Sequence, residues 1–124
     1  MIKKILIILS FLVYSMPVSA SELEKLFENS DKLFLYLYTS KCTYCVKFSP
    51  IYEKLRKKYG DKCDFIKIDA NTHQGYHLMY ETRASYVPNV IIADTKKQIL
   101  SKITPDCLLN EACMNKVMKN FIDK

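Results

Sequence analysis

Leu33-Phe34-Leu35-Tyr36-Leu37-Tyr38-Thr39-Ser40-Lys41-Cys42-Thr43-Tyr44-Cys45 decides how the rest of the chain is read. Leu33 to Tyr38 is an uninterrupted apolar run with the character of a buried strand. It ends in a short polar turn that delivers two cysteines separated by two residues. Beyond Cys45 the apolar residues change to helical spacing, at Val46, Phe48, Ile51, Tyr52, Leu55 and Tyr59. A strand therefore feeds a Cys-x-x-Cys that opens a helix over Cys45–Tyr59. The first turn of a helix has unpaired N–H groups and the positive end of the dipole. A thiolate is stabilised there, so Cys42 is expected to react at neutral pH. Lys41 and Lys47 add positive charge nearby. Cys45, one turn further in, lies on the same side and can close a disulfide with Cys42.

The chain has 124 residues, enough for one domain. Met1 to Ala20 reads as a secretory signal peptide rather than as part of the fold. Lys3 and Lys4 form its charged start, Ile5 to Tyr14 its apolar run, and Pro17 then Val18-Ser19-Ala20 a break with small residues for cleavage. The run is short for a membrane span. The domain is then residues 21–124. The formal charge of the whole chain is +6, and it falls by two when Lys3 and Lys4 leave. The remaining lysines are scattered, which makes them a solvated surface and not a nucleic-acid footprint. All five cysteines lie beyond the leader. An exported chain meets an oxidising compartment where disulfides persist, and a short lysine-bearing leader points to the bacterial periplasm.

In chain order, Ser21 to Ser30 predicts a short amphipathic helix with a capping residue at its start and Leu23, Leu26 and Phe27 on one face. Pro50 falls inside the helix that follows the cysteines and is expected to kink it, and Gly60 is placed to cap its end. Phe65 to Asp69 reads as a second strand. His73 to Arg83 reads as a helix with Tyr76, Met79 and Tyr80 on its apolar side. Val87-Pro88 enters a third strand, Asp94 to Gln98 is a hairpin turn without glycine, and Ile99 to Ile103 is a fourth strand. Thr104-Pro105-Asp106 breaks the chain before a last helix from Leu109 to Ile122. Alternating strands and helices predict that the first strands are parallel, with one antiparallel pair in the final hairpin.

These residues together resemble the thioredoxin family. Phe34 to Tyr38 followed by Cys42-Thr43-Tyr44-Cys45 is similar to its active-site strand and motif, and Pro50 to its helix-kinking proline. Ile66-Lys67-Ile68-Asp69-Ala70-Asn71 is similar to the next central strand, and Val87-Pro88 to the loop whose cis proline faces the cysteines. The resemblance runs from about Leu23 to Ile103. It implies an α/β thioredoxin-like fold, a central mixed sheet of about four strands flanked by helices. There are departures. The family's first strand is not evident before Glu22. The chain has no Trp, and Tyr38 is the nearest aromatic. Tyr36 stands where cytosolic members carry a buried acid. Thr43-Tyr44 replaces the Gly-Pro of strongly reducing thioredoxins, a pattern more similar to periplasmic Dsb-type oxidases and isomerases.

The expected function is an exported thiol–disulfide oxidoreductase. It acts on protein thiols and disulfides through Cys42 and Cys45, with no cofactor and with a redox partner that the sequence does not identify. The resemblance places Tyr44 and Tyr86 beside the cysteines as substrate contacts. A cis Pro88 would leave the Val87 backbone free to pair with an extended substrate chain. If Cys107 lies in the loop before the last helix, it can reach Cys113 in a structural disulfide. Cys63 is then the odd cysteine, read as a buried small hydrophobe. His73 and His77, spaced by four, read as surface rather than as metal ligands. The chain is expected to be a monomer that contacts membrane only through an uncleaved leader. Oxidase, reductase and isomerase directions stay open, as does a reductant for cytochrome c maturation. Two other classes also stand. One is a metallochaperone holding Cu(I) between Cys42 and Cys45, and the other is a redox-inactive interaction module.

Overall fold

The computed structural model describes residues 21–123. The leader expected over Met1 to Ala20 lies outside them. Nine elements follow one another: α1 (Glu22–Glu28), β1 (Lys32–Tyr38), α2 (Thr43–Tyr59), β2 (Asp64–Asp69), α3 (His73–Glu81), β3 (Asn89–Asp94), β4 (Ile99–Lys102), α4 (Pro105–Leu108) and α5 (Glu111–Asp123). The strands form one sheet in the order β2-β1-β3-β4. Among the described residues no helix is long and apolar enough to cross a membrane.

β1 is central, and alternation along it builds two cores. Leu33, Leu35 and Leu37 point to one face, where they meet Leu78 with the flanking Leu23, Leu26 and Phe27. Phe34 and Tyr36 point to the other, where they meet Phe48, Tyr52 and Leu55 of α2 and Met114 and Met118 of α5. A strand covered on both faces needs no polar residue on either, which is why its sequence is one apolar run. The Tyr36 ring packs edge-on against Phe48 with centroids 5.0 Å apart, and Phe34 stacks on Phe65 at 4.6 Å.

The sheet differs from expectation in one pairing. β1 and β2 are parallel, but β3 runs antiparallel to β1 as well as to β4. β2 ends opposite Tyr38 and β3 begins opposite Leu37, so α3 and the segment after it return the chain to the end it left. A parallel crossover would have delivered it to the far end. Helix–strand alternation alone does not distinguish these two routes.

Three helix readings are also corrected. Tyr76 and Tyr80 are 67% and 79% exposed, and α3 instead buries Gly75 and Leu78. A Cβ at Gly75 would overlap the Asp69 carbonyl oxygen and lie 2.8 Å from Ala70 Cα, so glycine allows backbone to touch backbone. Counting apolar side chains misses a contact made by a residue without one. Thr104-Pro105-Asp106 does not end regular structure. Pro105 opens α4, where its missing N–H would have had no partner in any case. A short helix thus precedes the last one, which starts at Glu111 rather than Leu109, and Cys107 sits within α4 rather than in a loop. Val46, counted with the apolar face of α2, is exposed. The hairpin turn lacks glycine because Gln98 itself takes the left-handed position, at φ 56°.

Candidate functional site

The C-terminal end of β1 and the N-terminus of α2 meet where the sequence turns polar. Cys42 is the N-cap of α2, and the Cys45 N–H donates to its sulfur at 3.1 Å. An N-cap normally offers oxygen to the free N–H groups of the first turn. Here sulfur occupies that position, and no acidic residue shares the turn. The two cysteines are joined in a disulfide with Cα atoms 5.1 Å apart. They are unequal in access: Cys42 is half-buried, whereas Cys45 is buried under β1.

The Cys45 end is held from below. The Tyr36 hydroxyl, buried, donates to the Cys45 carbonyl at 3.1 Å, and the Ser49 hydroxyl donates to the same carbonyl at 2.8 Å. Burial first, and then Tyr38, pushes the Tyr36 hydroxyl's pKa upward against the opposing Ser49 contact, so it stays protonated and able to donate. Lys67 on β2 lies 4.5 Å over the Tyr38 ring and 5.7 Å over the Tyr36 ring. The motif thus rests on an aromatic floor with a cation beside it.

The segment Tyr86-Val87-Pro88 faces Cys42 from the start of β3. The Val87–Pro88 peptide is cis. The Val87 carbonyl oxygen lies 3.5 Å from Cys42 Sγ. A disulfide sulfur has no hydrogen to donate, so in this form the approach is a contact. In the dithiol form the Cys42 thiol can donate across it. Tyr44 is 58% exposed and Tyr86 56% exposed. With Val87 and Pro88 they line part of a groove of about 630 Å³ at this end of the molecule. Lys47 lies 5.5 Å over the Tyr44 ring, while Lys41 precedes Cys42 on the exposed turn.

One supporting pair has no counterpart in the sequence reading. Asn89, buried in the first position of β3, donates from Nδ2 to Thr82 Oγ1 at 3.2 Å, and the Thr82 hydroxyl donates to the Leu78 carbonyl at 2.7 Å. The pair ties the end of α3 to the strand that follows Pro88. Its signal was an asparagine heading the apolar run Val90 to Ala93, a position where a polar side chain must find a partner.

The other singled-out residues lie away from this end. Cys107 and Cys113 form a second disulfide, with Cα atoms 5.3 Å apart, joining α4 to α5. Cys63 is buried and unpaired, and burial, then the neighbouring Asp64 charge, pushes its thiol up to about 12. The His73 and His77 rings meet edge to face at 4.5 Å on the exposed side of α3. Among the described residues no group of three or more His, Cys, Asp or Glu is placed to hold a metal ion.

Comparison with known proteins agrees with this geometry. The Thioredoxin family model matches residues 15–116. A thioredoxin from Borreliella burgdorferi is 38% identical over 48 residues, which span 39% of this chain and 41% of that protein. The match therefore covers less than half of that relative. Among solved structures, oxidised mitochondrial thioredoxin 3 from Saccharomyces cerevisiae superposes with a TM-score of 0.66 at 24% identity, over 80% of this chain and 87% of that one. Oxidised thioredoxin from Plasmodium falciparum gives 0.65 at 16% identity, over 84% and 93%. The four-stranded mixed sheet with its flanking helices is the thioredoxin-like fold that these structures share. With the family model matched across most of its length and the Cys-x-x-Cys at the head of α2, the chain belongs to the thioredoxin family.

Proposed function

We propose that this protein is a thiol–disulfide oxidoreductase that exchanges disulfides with protein substrates at Cys42. The observation that carries the reading is the Cys42 sulfur at the N-cap of a 17-residue helix, half-buried and bonded to a buried Cys45. On reduction, the Cys45 N–H and the helix dipole favour a thiolate on Cys42. That thiolate attacks one sulfur of a substrate disulfide. A Cys42–substrate bond forms, the substrate S–S bond breaks, and the released thiolate takes a proton. Deprotonated Cys45 then attacks Cys42 Sγ, closing Cys42–Cys45 and releasing the second substrate thiol. The substrate has gained two electrons and two protons, and the protein dithiol has lost them. Run backwards, the same steps oxidise a substrate dithiol. A second dithiol or disulfide protein resets the pair in either direction.

Tyr44, Tyr86 and the Val87 backbone are the substrate contacts in this reading, because they stand exposed or half-buried beside the accessible cysteine. Export and Dsb-type character belong to the same proposal. They are supported by the leader pattern of Met1 to Ala20, by Thr43-Tyr44 between the cysteines, and by a second disulfide that an oxidising compartment would preserve. Two measurements test the reading. Reduced protein should be oxidised stoichiometrically by a small disulfide while Cys42→Ser is inert, and equal behaviour of the two would end the proposal. Expression of the full chain in a bacterium, followed by fractionation and mass measurement of the N-terminus, should yield a periplasmic protein beginning at Ser21. An intact Met1 in the cytosolic fraction would remove the export claim alone.

A further inference from the structure

Part of the groove's lining comes from a stretch of the chain that the redox chemistry does not use. Pro105, Asp106, Leu108 and Leu109 line it together with Tyr44, Tyr86, Val87 and Pro88. All four belong to α4 or its end, a helix of only four residues that could not hold its position by its own hydrogen bonds. Cys107–Cys113 ties it to α5, and Cys107 Sγ packs 3.8 Å from Met114 Sδ, inside the core. Leu108 is buried, while Leu109 stays 39% exposed. The groove's lining is thus mostly apolar and includes two aromatic rings and an exposed leucine. Among the described residues lining it, Asp106 is the one carboxylate, and it faces solvent. Lys47, outside the lining, carries the opposite charge over the Tyr44 ring.

We infer that the disulfide-stapled turn Pro105–Leu109 is a specificity wall. It selects extended cystine-containing polypeptide segments that place a large apolar side chain next to the reacting cysteine and a lysine or arginine toward Asp106. The inference rests on the redox reading above and adds the substrate class. An aromatic or branched side chain would remove Tyr44, Tyr86 and Leu109 surface from water when it enters. A basic residue would meet Asp106, whereas an acidic one would be repelled by it.

The test uses reduced full-length protein and single-turnover oxidation followed by mass measurement. Three probes are compared: hydroxyethyl disulfide, and two extended peptides whose single cysteine is a mixed disulfide with hydroxyethanethiol. One peptide flanks its cysteine with Phe and Lys, the other with Ser and Glu. The parent should prefer the Phe/Lys peptide by roughly tenfold, the ratio that burying one large side chain supplies. The readout for variants is the ratio of the two peptide rates within each protein, so that any general loss of activity cancels. Leu109→Ser should shrink the ratio several-fold, and Asp106→Lys should shrink it by about threefold, as expected for an exposed charge pair. Cys107→Ser/Cys113→Ser should also shrink it, by loosening the wall. A ratio near one in the parent, or a ratio unmoved by both Leu109→Ser and Asp106→Lys, overturns the inference while hydroxyethyl disulfide turnover still upholds the redox reading. Failure of hydroxyethyl disulfide to oxidise the parent overturns both.

Discussion

The two disulfides of this chain begin from the same local design and end in different surroundings. Cys45 and Cys113 occupy equivalent positions, each the third residue of its helix with its N–H bonded to the residue that caps the helix. In α2 the cap is the partner cysteine itself, Cys42. In α5 the cap is Asn110, whose Oδ1 accepts the Cys113 N–H at 3.0 Å, and the partner Cys107 comes from another helix. The first turn of α2 has no acid, whereas α5 begins with Glu111. Reduction of Cys42–Cys45 therefore leaves a sulfur at the positive end of a long helix, with a donor aimed at it. Reduction of Cys107–Cys113 leaves sulfurs whose helix end is already capped by an amide and faced by a carboxylate. The Cα separations, 5.1 and 5.3 Å, hardly differ. On the proposed reading, what separates an exchanging disulfide from a structural one is the owner of the cap, together with access: Cys42 is half-buried against the Val87 carbonyl, while Cys107 packs on Met114.

The largest expected effect lies in the first pair. Cys42→Ser should bring disulfide turnover down to the uncatalysed level, because a serine hydroxyl forms no mixed disulfide. Cys45→Ser should instead accumulate the Cys42–substrate adduct, visible by mass. A Cys45 adduct in the Cys42→Ser protein would break the assignment of roles. Next in size, Cys107→Ser/Cys113→Ser should cost about 2 kcal/mol of stability in urea unfolding, the lower end for a short closed loop. It should leave hydroxyethyl disulfide turnover within about threefold, since its sulfurs lie outside the exchange. Loss of turnover comparable to Cys42→Ser would erase the distinction between the pairs.

Cys63 provides a third environment, with neither cap nor access. Its thiol is held up to about 12 by burial, against an ordinary value of 9.0. Between those values the unfolded chain has released a proton that the folded chain keeps, so stability falls as pH rises through that window. The slope for one proton is at most about 1.4 kcal/mol per pH unit. Tyr52, pushed up to about 12 by burial and then by the Glu53 charge, adds a fall of the same sign above its ordinary value of 10.0. Cys63→Ala should flatten the fall that begins near the lower limit, as read by urea midpoints across alkaline pH. In the reduced native protein, alkylation near neutral pH should label Cys42 and spare Cys63. Rapid labelling of Cys63 would contradict its burial. The smallest effect belongs to the second cap: Asn110→Ala should lower stability by about 1 kcal/mol without changing small-disulfide turnover. A loss of turnover there would show that the two helix starts are coupled.

Much of the active end was legible because it is written in contiguous residues. The apolar run of β1, the change of period after Cys45 and the two-residue spacing of the cysteines are local facts, and each is read within a few residues. The α3 face was misread for the opposite reason. Gly75 makes its contact through backbone, and Tyr76 and Tyr80, which look like core, are placed on the outer side by that contact. Asn89 at the head of an apolar run signals only that it needs a partner; that the partner is Thr82, seven residues back, emerges when a helix end and a strand start are brought together.

By itself the sequence determined the strand, the reactive pair at the head of a helix, the buried character of Cys63 and the number of strands. All of these follow from composition and spacing within a few residues. Only the tertiary structure decided the direction of β3, the residue that caps each cysteine-bearing helix, and the meeting of Val87 with Cys42 across 45 positions of chain. It also brought Pro105, Asp106, Leu108 and Leu109 into one groove with Tyr44. The physical reason is that burial and periodicity act along the chain, while access, thiolate stabilisation and groove shape arise between segments that no local rule brings together.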